Sequence, residues 1–167
     1  MQNKEAIFNG LLSDNHASIY RICMAYLYDR SHADDLYQEI LYNVWKSLDS
    51  YKGNAQMSTW IYRVAMNTAI SYNIKQKKQQ HAALPETLNI AAEERNTQEE
   101  AQLKQLRHCI QQLEAQDRLI ISLVLEDKSY KEIAEITGSN TNNVGVKINR
   151  IKARLLKLME NSAEHEL

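Results

Sequence analysis

An all-α chain of two small helical domains joined by a flexible linker is what this sequence predicts, on three observations. Only four Gly and one Pro occur in 167 residues, while Leu, Ile, Ala, Gln, Glu and Lys are abundant, which favours helix. Apolar residues recur at steps of three and four along most of the chain. Residues 80–96 lose that periodicity, contain the Pro and gain acids, so they read as a linker between domains over 1–79 and 97–167. Domains of that size are ordinary for a chain of this length.

Hydrophobic content of 44% with 25% charged residues fits a soluble globular protein. No apolar run reaches the length of a membrane span, and the start, MQNKEAIF, lacks the apolar core of a signal peptide. Cys23 and Cys109 sit in apolar helical patterns with no paired motif around them, and are expected as buried thiols. The expected location is the cytoplasm.

Three Ser/Thr-x-x-Asp/Glu boxes mark helix starts: Ser31 with Asp34, Thr97 with Glu100, and Ser129 with Glu132. After Ser31, the residues Leu36, Ile40, Leu41, Val44, Trp45 and Leu48 form an expected core face. Met57 to Lys78 reads as a helix with Ile61, Ala65, Thr68 and Tyr72 inward. In the second domain Leu103, Leu106, Ile110 and Leu113 make one stripe. The nearly all-apolar run from Leu119 to Leu125 would suit a strand as well, and its helical surroundings decide for a buried helix.

Charge is distributed in blocks although the net is only −1. Residues 1–49 carry seven acids against four bases, 50–85 none against five, 86–117 seven against three, and 128–159 two against seven. Phosphate backbones are bound by clustered Lys and Arg rather than by average charge, so two basic surfaces suggest two contacts with one nucleic acid.

The C-terminal block is a helix-turn-helix pattern. Ser129–Thr137 forms a short helix, Gly138 a left-handed turn, and a longer helix starts near Asn140 or Thr141. Ala134 is small where the two would cross. Val144, Ile148, Ile151, Leu155 and Leu158 give the buried stripe, leaving Asn142, Asn143, Val146, Lys147, Asn149, Arg150 and Arg154 outward. Asn near a helix start can read base edges, while Lys and Arg hold phosphates or guanine. A plain helical hairpin with a solvated basic face is the bland alternative.

The earlier basic helix has another logic. Trp60, Arg63, Asn67, Ser71, Lys75 and Lys78 share one face, and an aromatic beside Arg and Asn, continued by lysines, suits a strand whose bases unpair and stack. The polar loop Lys52 to Ser58, flexible at Gly53, could wrap a base turned out of the stack. Here the bland alternative is that Trp60 is core packing.

Three segments together resemble the extracytoplasmic-function sigma factors of the sigma-70 family. ADDLYQEILYNVWKSL (33–48) is similar to the region 2 signature, GNAQMSTWIYRVAMNTAISY (53–72) to the promoter-melting segment, and LEAQDRLIISLVLEDKSYKEIAEITGSNTNNVGVKINRIKARL (113–155) to region 4. The resemblance implies a transcription initiation factor rather than an enzyme, with no cofactor and no metal. It implies Asp34, Asp35, Gln38 and Glu39 against the β′ clamp helices of core RNA polymerase, and region 4 against the β flap. Asn54, Gln56, Ser58, Trp60, Arg63 and Asn67, extended by Ser71 and Lys75, would hold the single-stranded −10 element. The outward residues of the last helix would sit at the −35 duplex. Promoter DNA and an anti-sigma factor are the further partners implied, with no membrane insertion of its own.

Two departures stand out. Gly145 lies inside the recognition helix, where it costs about 1 kcal/mol relative to Ala, and is expected as a point of close backbone approach to DNA. Lys75, Lys77 and Lys78 stand where an Arg cluster is frequent in the family, which points to phosphate holding rather than base reading. A stand-alone repressor or activator would explain residues 103–160 but leave the acid-bearing helix and the Trp60 face without a role. An enzyme finds no support: neither His32, Asp34, Asp35 and Glu39 nor His108 and Cys109 has zinc-ligand spacing, and no phosphate-binding Gly loop is present. A purely structural adaptor would leave the paired basic surfaces unexplained.

Overall fold

The computed structural model describes residues 2–27, 29–80 and 97–165, so the expected linker lies, but for Gln80, outside the described residues. The side chains of Lys77 and Lys78 lie outside them too. The described elements are all helical: α1 (Gln2–Leu27), α2 (Arg30–Ser47), a 3-10 turn (Leu48–Ser50), α3 (Met57–Gln80), α4 (Gln98–Gln111), α5 (Ala115–Leu125), α6 (Tyr130–Thr137) and α7 (Thr141–His165).

In the N-terminal half α2 packs between α1 and α3. Helix α1, which no sequence signal had singled out, buries Ile19, Ile22, Cys23 and Tyr26 at helical spacing. Helix α2 starts earlier than its Ser31 box suggested. Asp29 is the cap, its carboxylate accepting from the Ser31 N–H at 3.0 Å. Asp34 does not reach back; it accepts from the Tyr20 hydroxyl at 2.7 Å. Leu36, Ile40 and Val44 are buried as expected, but Leu41 is half-buried and Trp45 is 39% exposed. Trp45 lies about half a turn round the helix from Leu36, at 3.6 residues per turn. It stacks edge-on against Phe8 at 5.2 Å, with the Lys4 ammonium 4.6 Å from its ring. On α3, Ile61, Ala65, Thr68 and Tyr72 are buried as read, and Thr68 is satisfied by Asn43 and the Val64 carbonyl.

In the C-terminal half Thr97 caps α4, accepting from the Glu100 N–H at 3.3 Å. Residues 119–125 are helical, so the strand alternative falls away. Ile110 and Leu113 are buried and Leu106 partly so. Leu103, expected in the same stripe, is half exposed, as is Leu125. Both line an apolar groove of about 610 Å³ between α1, α4 and α5 that no described element fills.

The two halves pack together, α1 on α4 and α5, and α3 on α5 and α6. Their buried residues form one continuous cluster. A polar seam accompanies it. The last carbonyls of a helix lack internal donors, and those of α1 are capped by the other half: Gln111 Nε2 donates to Ala25 O at 2.6 Å and Arg118 Nε to Tyr26 O at 3.0 Å. Arg118 also donates to Leu113 O at 2.7 Å, and burial lowers its pKa from the usual arginine value. Arg21 meets Glu126 through two hydrogen bonds of 2.6 and 2.8 Å. Asp127, at φ 58, turns the chain after Glu126, and the Lys128 ammonium comes 4.4 Å from the Tyr62 ring.

Arg21 is the main reason the Glu126 carboxyl is held below its ordinary value, with Ser18 and Lys128 assisting and burial opposing. A depressed folded pKa contributes stability above the ordinary carboxylate pKa of about 4.3 that is lost as pH falls through the folded value. Between about pH 6 and pH 3 the wild type should therefore lose more melting temperature than Glu126→Gln, which lacks the titrating group. Parallel profiles from thermal melts would exclude the Arg21–Glu126 pair as a contributor.

Candidate nucleic-acid interface

The C-terminal surface is built by local chemistry. Ser129 Oγ accepts from the Glu132 N–H at 3.1 Å and Glu132 Oε2 accepts from the Ser129 N–H at 2.7 Å, closing both halves of a capping box. Gly138 ends α6 at φ 72, the left-handed region that a side chain disfavours. The Ser139 N–H then donates to Ala134 O at 2.9 Å. Asn140 caps α7, its Oδ1 accepting from the Asn143 N–H at 2.8 Å. Helix α7 buries Val144, Ile148, Ile151 and Leu155 against its neighbours, with Leu158 packed at the edge.

That burial turns the opposite side outward. Asn142, Asn143, Asn149, Arg150 and Arg154 are exposed, Val146 is 64% exposed, and Lys147 is half-buried. None of the ion pairs among the described residues engages Lys147, Arg150 or Arg154, so their charge is available to an outside anion. Gly145 does not face that side. A Cβ there would lie 3.7 Å from the Tyr130 ring, so the glycine looks toward α6 and the expectation of close backbone approach to DNA is corrected.

On α3, Arg63, Asn67, Ser71 and Lys75 are exposed along one side, and Trp60 is half-buried, 5.4 Å from the Tyr51 ring. In the loop before it Asn54 and Gln56 are exposed, while Ser58, expected in that loop, is exposed in the first turn of α3. This side is partly occupied by the chain itself. Arg63 Nε donates to the α6 carbonyl of Glu135 at 2.7 Å, and Lys75 Nζ lies 3.3 Å from Glu39 Oε1. Asn67 lines a cleft of about 470 Å³ whose other wall includes Asn143, Val146, Lys147 and Arg150. Met66 and Ile70 line it as well; sequence reading passed over them, since their apolar character gave no sign of an exposed role.

On α2, Asp34, Asp35 and Gln38 are exposed and Glu39 is half-buried, together on the side away from Leu36 and Ile40. The structure thus draws Asn67 to the residues of α7, while the acids of α2 and the loop residues stand apart from that cleft. No group of three His, Cys, Asp or Glu among the described residues is arranged to hold a metal ion.

A basic helix-turn-helix joined to a second helical unit with its own basic side defines a two-part transcription factor. Comparison with known proteins gives the family. Sigma-70 region 2 matches residues 11–79 and Sigma-70, region 4 matches residues 103–155. The chain is 28% identical to RNA polymerase sigma factor SigV of Bacillus subtilis over 159 residues, 95% of this chain and 92% of the relative. It is 27% identical to the ECF RNA polymerase sigma factor SigW of the same organism over 161 residues, 83% of this chain and 81% of the relative. Its fold is similar to that of the sigma factor RpoE of Bartonella quintana, solved in complex with the anti-sigma factor NepR, with a TM-score of 0.71. That likeness has 19% identity and covers 92% of this chain and 96% of the other. The chain belongs to the extracytoplasmic-function group of the sigma-70 family.

Because Gly145 meets only an ordinary contact at 3.7 Å, Gly145→Ala should gain helix propensity without a clash. The expected outcome is a stability increase of roughly 0.5–1 kcal/mol, seen as a higher melting temperature. A lower one would mean that Tyr130 cannot yield to the added methyl group.

Proposed function

We propose that this chain is a transcription initiation factor that brings core RNA polymerase to specific promoters and assists opening of the −10 region. The observation that carries this is the outer side of α7 from Thr141 to Leu155, which bears no acid, is presented by a capped helix-turn-helix and lies within the matched region 4. In this reading Asn142, Asn143, Val146, Lys147, Asn149, Arg150 and Arg154 meet the −35 duplex. Amides near the helix start read bases, and the cations further along hold phosphates.

Trp60, Arg63, Asn67, Ser71 and Lys75, with Asn54, Gln56 and Ser58, take the −10 strand once its bases unpair. Asp34, Asp35, Gln38 and Glu39 dock on the β′ clamp helices of the polymerase, and the C-terminal half on the β flap. The domains are taken as residues 1–79 and 97–167. Splitting recognition between duplex and single strand couples promoter choice to melting, since the second contact exists only after the bases part. RNA synthesis and its metal chemistry belong to the polymerase, so the chain is not itself an enzyme. No described helix is long and apolar enough to cross a membrane, and a factor that acts together with bacterial core polymerase would do so in the cytoplasm. An anti-sigma protein is its expected regulator, by analogy with the NepR-bound relative.

Run-off transcription with purified core polymerase and a genomic promoter pool tests the reading. Transcripts starting downstream of shared sequence elements are expected only when the chain is added, and failure to bind core would overturn it. Lys147→Ala and Arg150→Ala should each weaken duplex binding and lower the salt slope by about one. Unchanged slopes would remove α7 from the phosphate contacts. Trp60→Ala should reduce promoter opening, followed by permanganate reactivity, more than closed-complex binding. Equal loss in both would make Trp60 a packing residue only.

A further inference from the structure

Val146 is the most exposed large apolar side chain among the described residues, 64% open although it borders the cleft toward α3. A single exposed hydrophobic residue is ordinary on a protein surface, so its surroundings decide what it means. At 3.6 residues per turn, Asn142 and Asn149 lie within about 60° of it on one side of α7, and Asn143 and Arg150 within about 60° on the other. All four are exposed, and between Asn142 and Arg150 no other apolar side chain is. Val146 is therefore an apolar centre ringed by amides and a cation.

Helix propensity does not call for valine there. A β-branched residue loses χ1 freedom against the preceding turn, and Ala, Lys, Gln or Glu would serve an exposed helical position better. The same stiffness suits recognition, because a side chain already held in one rotamer gives up little entropy on contact. The Cα–Cβ bond of a helical residue tilts toward the N-terminus, so the methyls of Val146 lean over the turn that carries Asn142 and Asn143. Those first turns are the part of a recognition helix that reaches base edges.

A major groove offers little to such a group. Adenine, guanine and cytosine present hydrogen-bonding groups there, whereas thymine adds a C5 methyl to its O4 acceptor. Valine set against a donor or acceptor would strip it of water without replacing the lost bond, which is a net cost. Against the thymine methyl, both partners lose apolar surface to water and gain.

We propose that Val146 selects a thymine in the duplex bound by α7, its methyls packing on the C5 methyl of that base while Asn142, Asn143, Asn149 and Arg150 serve the neighbouring edges and phosphates. The inference rests on the initiation-factor reading, which puts α7 at the −35 duplex, and adds to it one base and the group that reads it. Burying a methyl-sized apolar group is worth about fourfold in an equilibrium constant.

The test uses the chain assembled with core polymerase on a promoter recovered by run-off transcription. Each thymine on either strand of its −35 element is exchanged in turn for deoxyuridine, which keeps the pairing and the O4 acceptor and removes only the methyl group. Competition binding of these fragments should show a position at which the exchange weakens wild-type binding about fourfold. With Val146→Ala, a change that favours helix and so spares the fold, thymine and deoxyuridine at that position should bind equally. The other positions should respond as they do in wild type. A loss of affinity in Val146→Ala that is equal for every fragment would put Val146 against sugar or phosphate and overturn the proposal. So would a thymine effect that survives the substitution, or the absence of any thymine effect.

If core polymerase does not take up the chain, the initiation reading falls, and the same exchanges are made in duplexes that the full chain alone selects from a random-sequence pool. A deoxyuridine penalty abolished by Val146→Ala would then uphold the methyl contact by itself. A chain that selects no duplex sinks both.

Discussion

Helix α1 is the element on which the arrangement depends. Ile19 and Cys23 are fully buried, Tyr26 and Ile22 nearly so, and the helix packs on α2 and α3 of its own half and on α4 and α5 of the other. One amphipathic helix therefore belongs to two cores at once. The consequence reaches its C-terminus, where the carbonyls of Ala25 and Tyr26 are capped by Gln111 and Arg118. Unpaired buried carbonyls are costly, so these donors set how α5 meets α1. That in turn fixes where the turn through Asp127 carries Lys128 and α6.

The recognition half needs far less from its surroundings. Reciprocal Ser129–Glu132 hydrogen bonds, a left-handed Gly138 and the Asn140 cap are all local, and they bring α7 out of α6 with Val144, Ile148 and Ile151 inward. Once those residues are buried, the outward direction of Arg150 and Arg154 follows from the helix repeat alone. The chain is slightly acidic overall, yet α7 bears no acid from Thr141 to Met159, and Glu160 and Glu164 come only in its last turns. Local field, not net charge, governs attraction to phosphate.

Polar groups on α2 and α3 illustrate how a helix surface can serve several contacts. Glu39 lies close to Lys75, Asp34 accepts from Tyr20, and Arg63 reaches a carbonyl of α6. Each such contact is at least partly exposed and of the kind that contributes little to stability. Exchange for an external partner is correspondingly inexpensive, which suits a protein whose surfaces are used by turns.

Periodicity and capping chemistry were sufficient for the helical class, for the inward residues of α3 and α7, and for the helix-turn-helix, because each depends on neighbours within about four positions. They were insufficient wherever a distant element decides. Trp45 and Leu103 read as core by apolar character, but exposure depends on whether another helix arrives at that side. Ser31 carried a capping signature, yet Asp29 is better placed to reach the Ser31 N–H. Gly145 pointed to Tyr130 because of how α6 crosses α7. The residues of the candidate DNA surfaces could be named from their spacing. That Asn67 faces Lys147 and Arg150 across a cleft could not, since it follows from contacts such as Arg21 with Glu126 that join positions 105 apart in the chain.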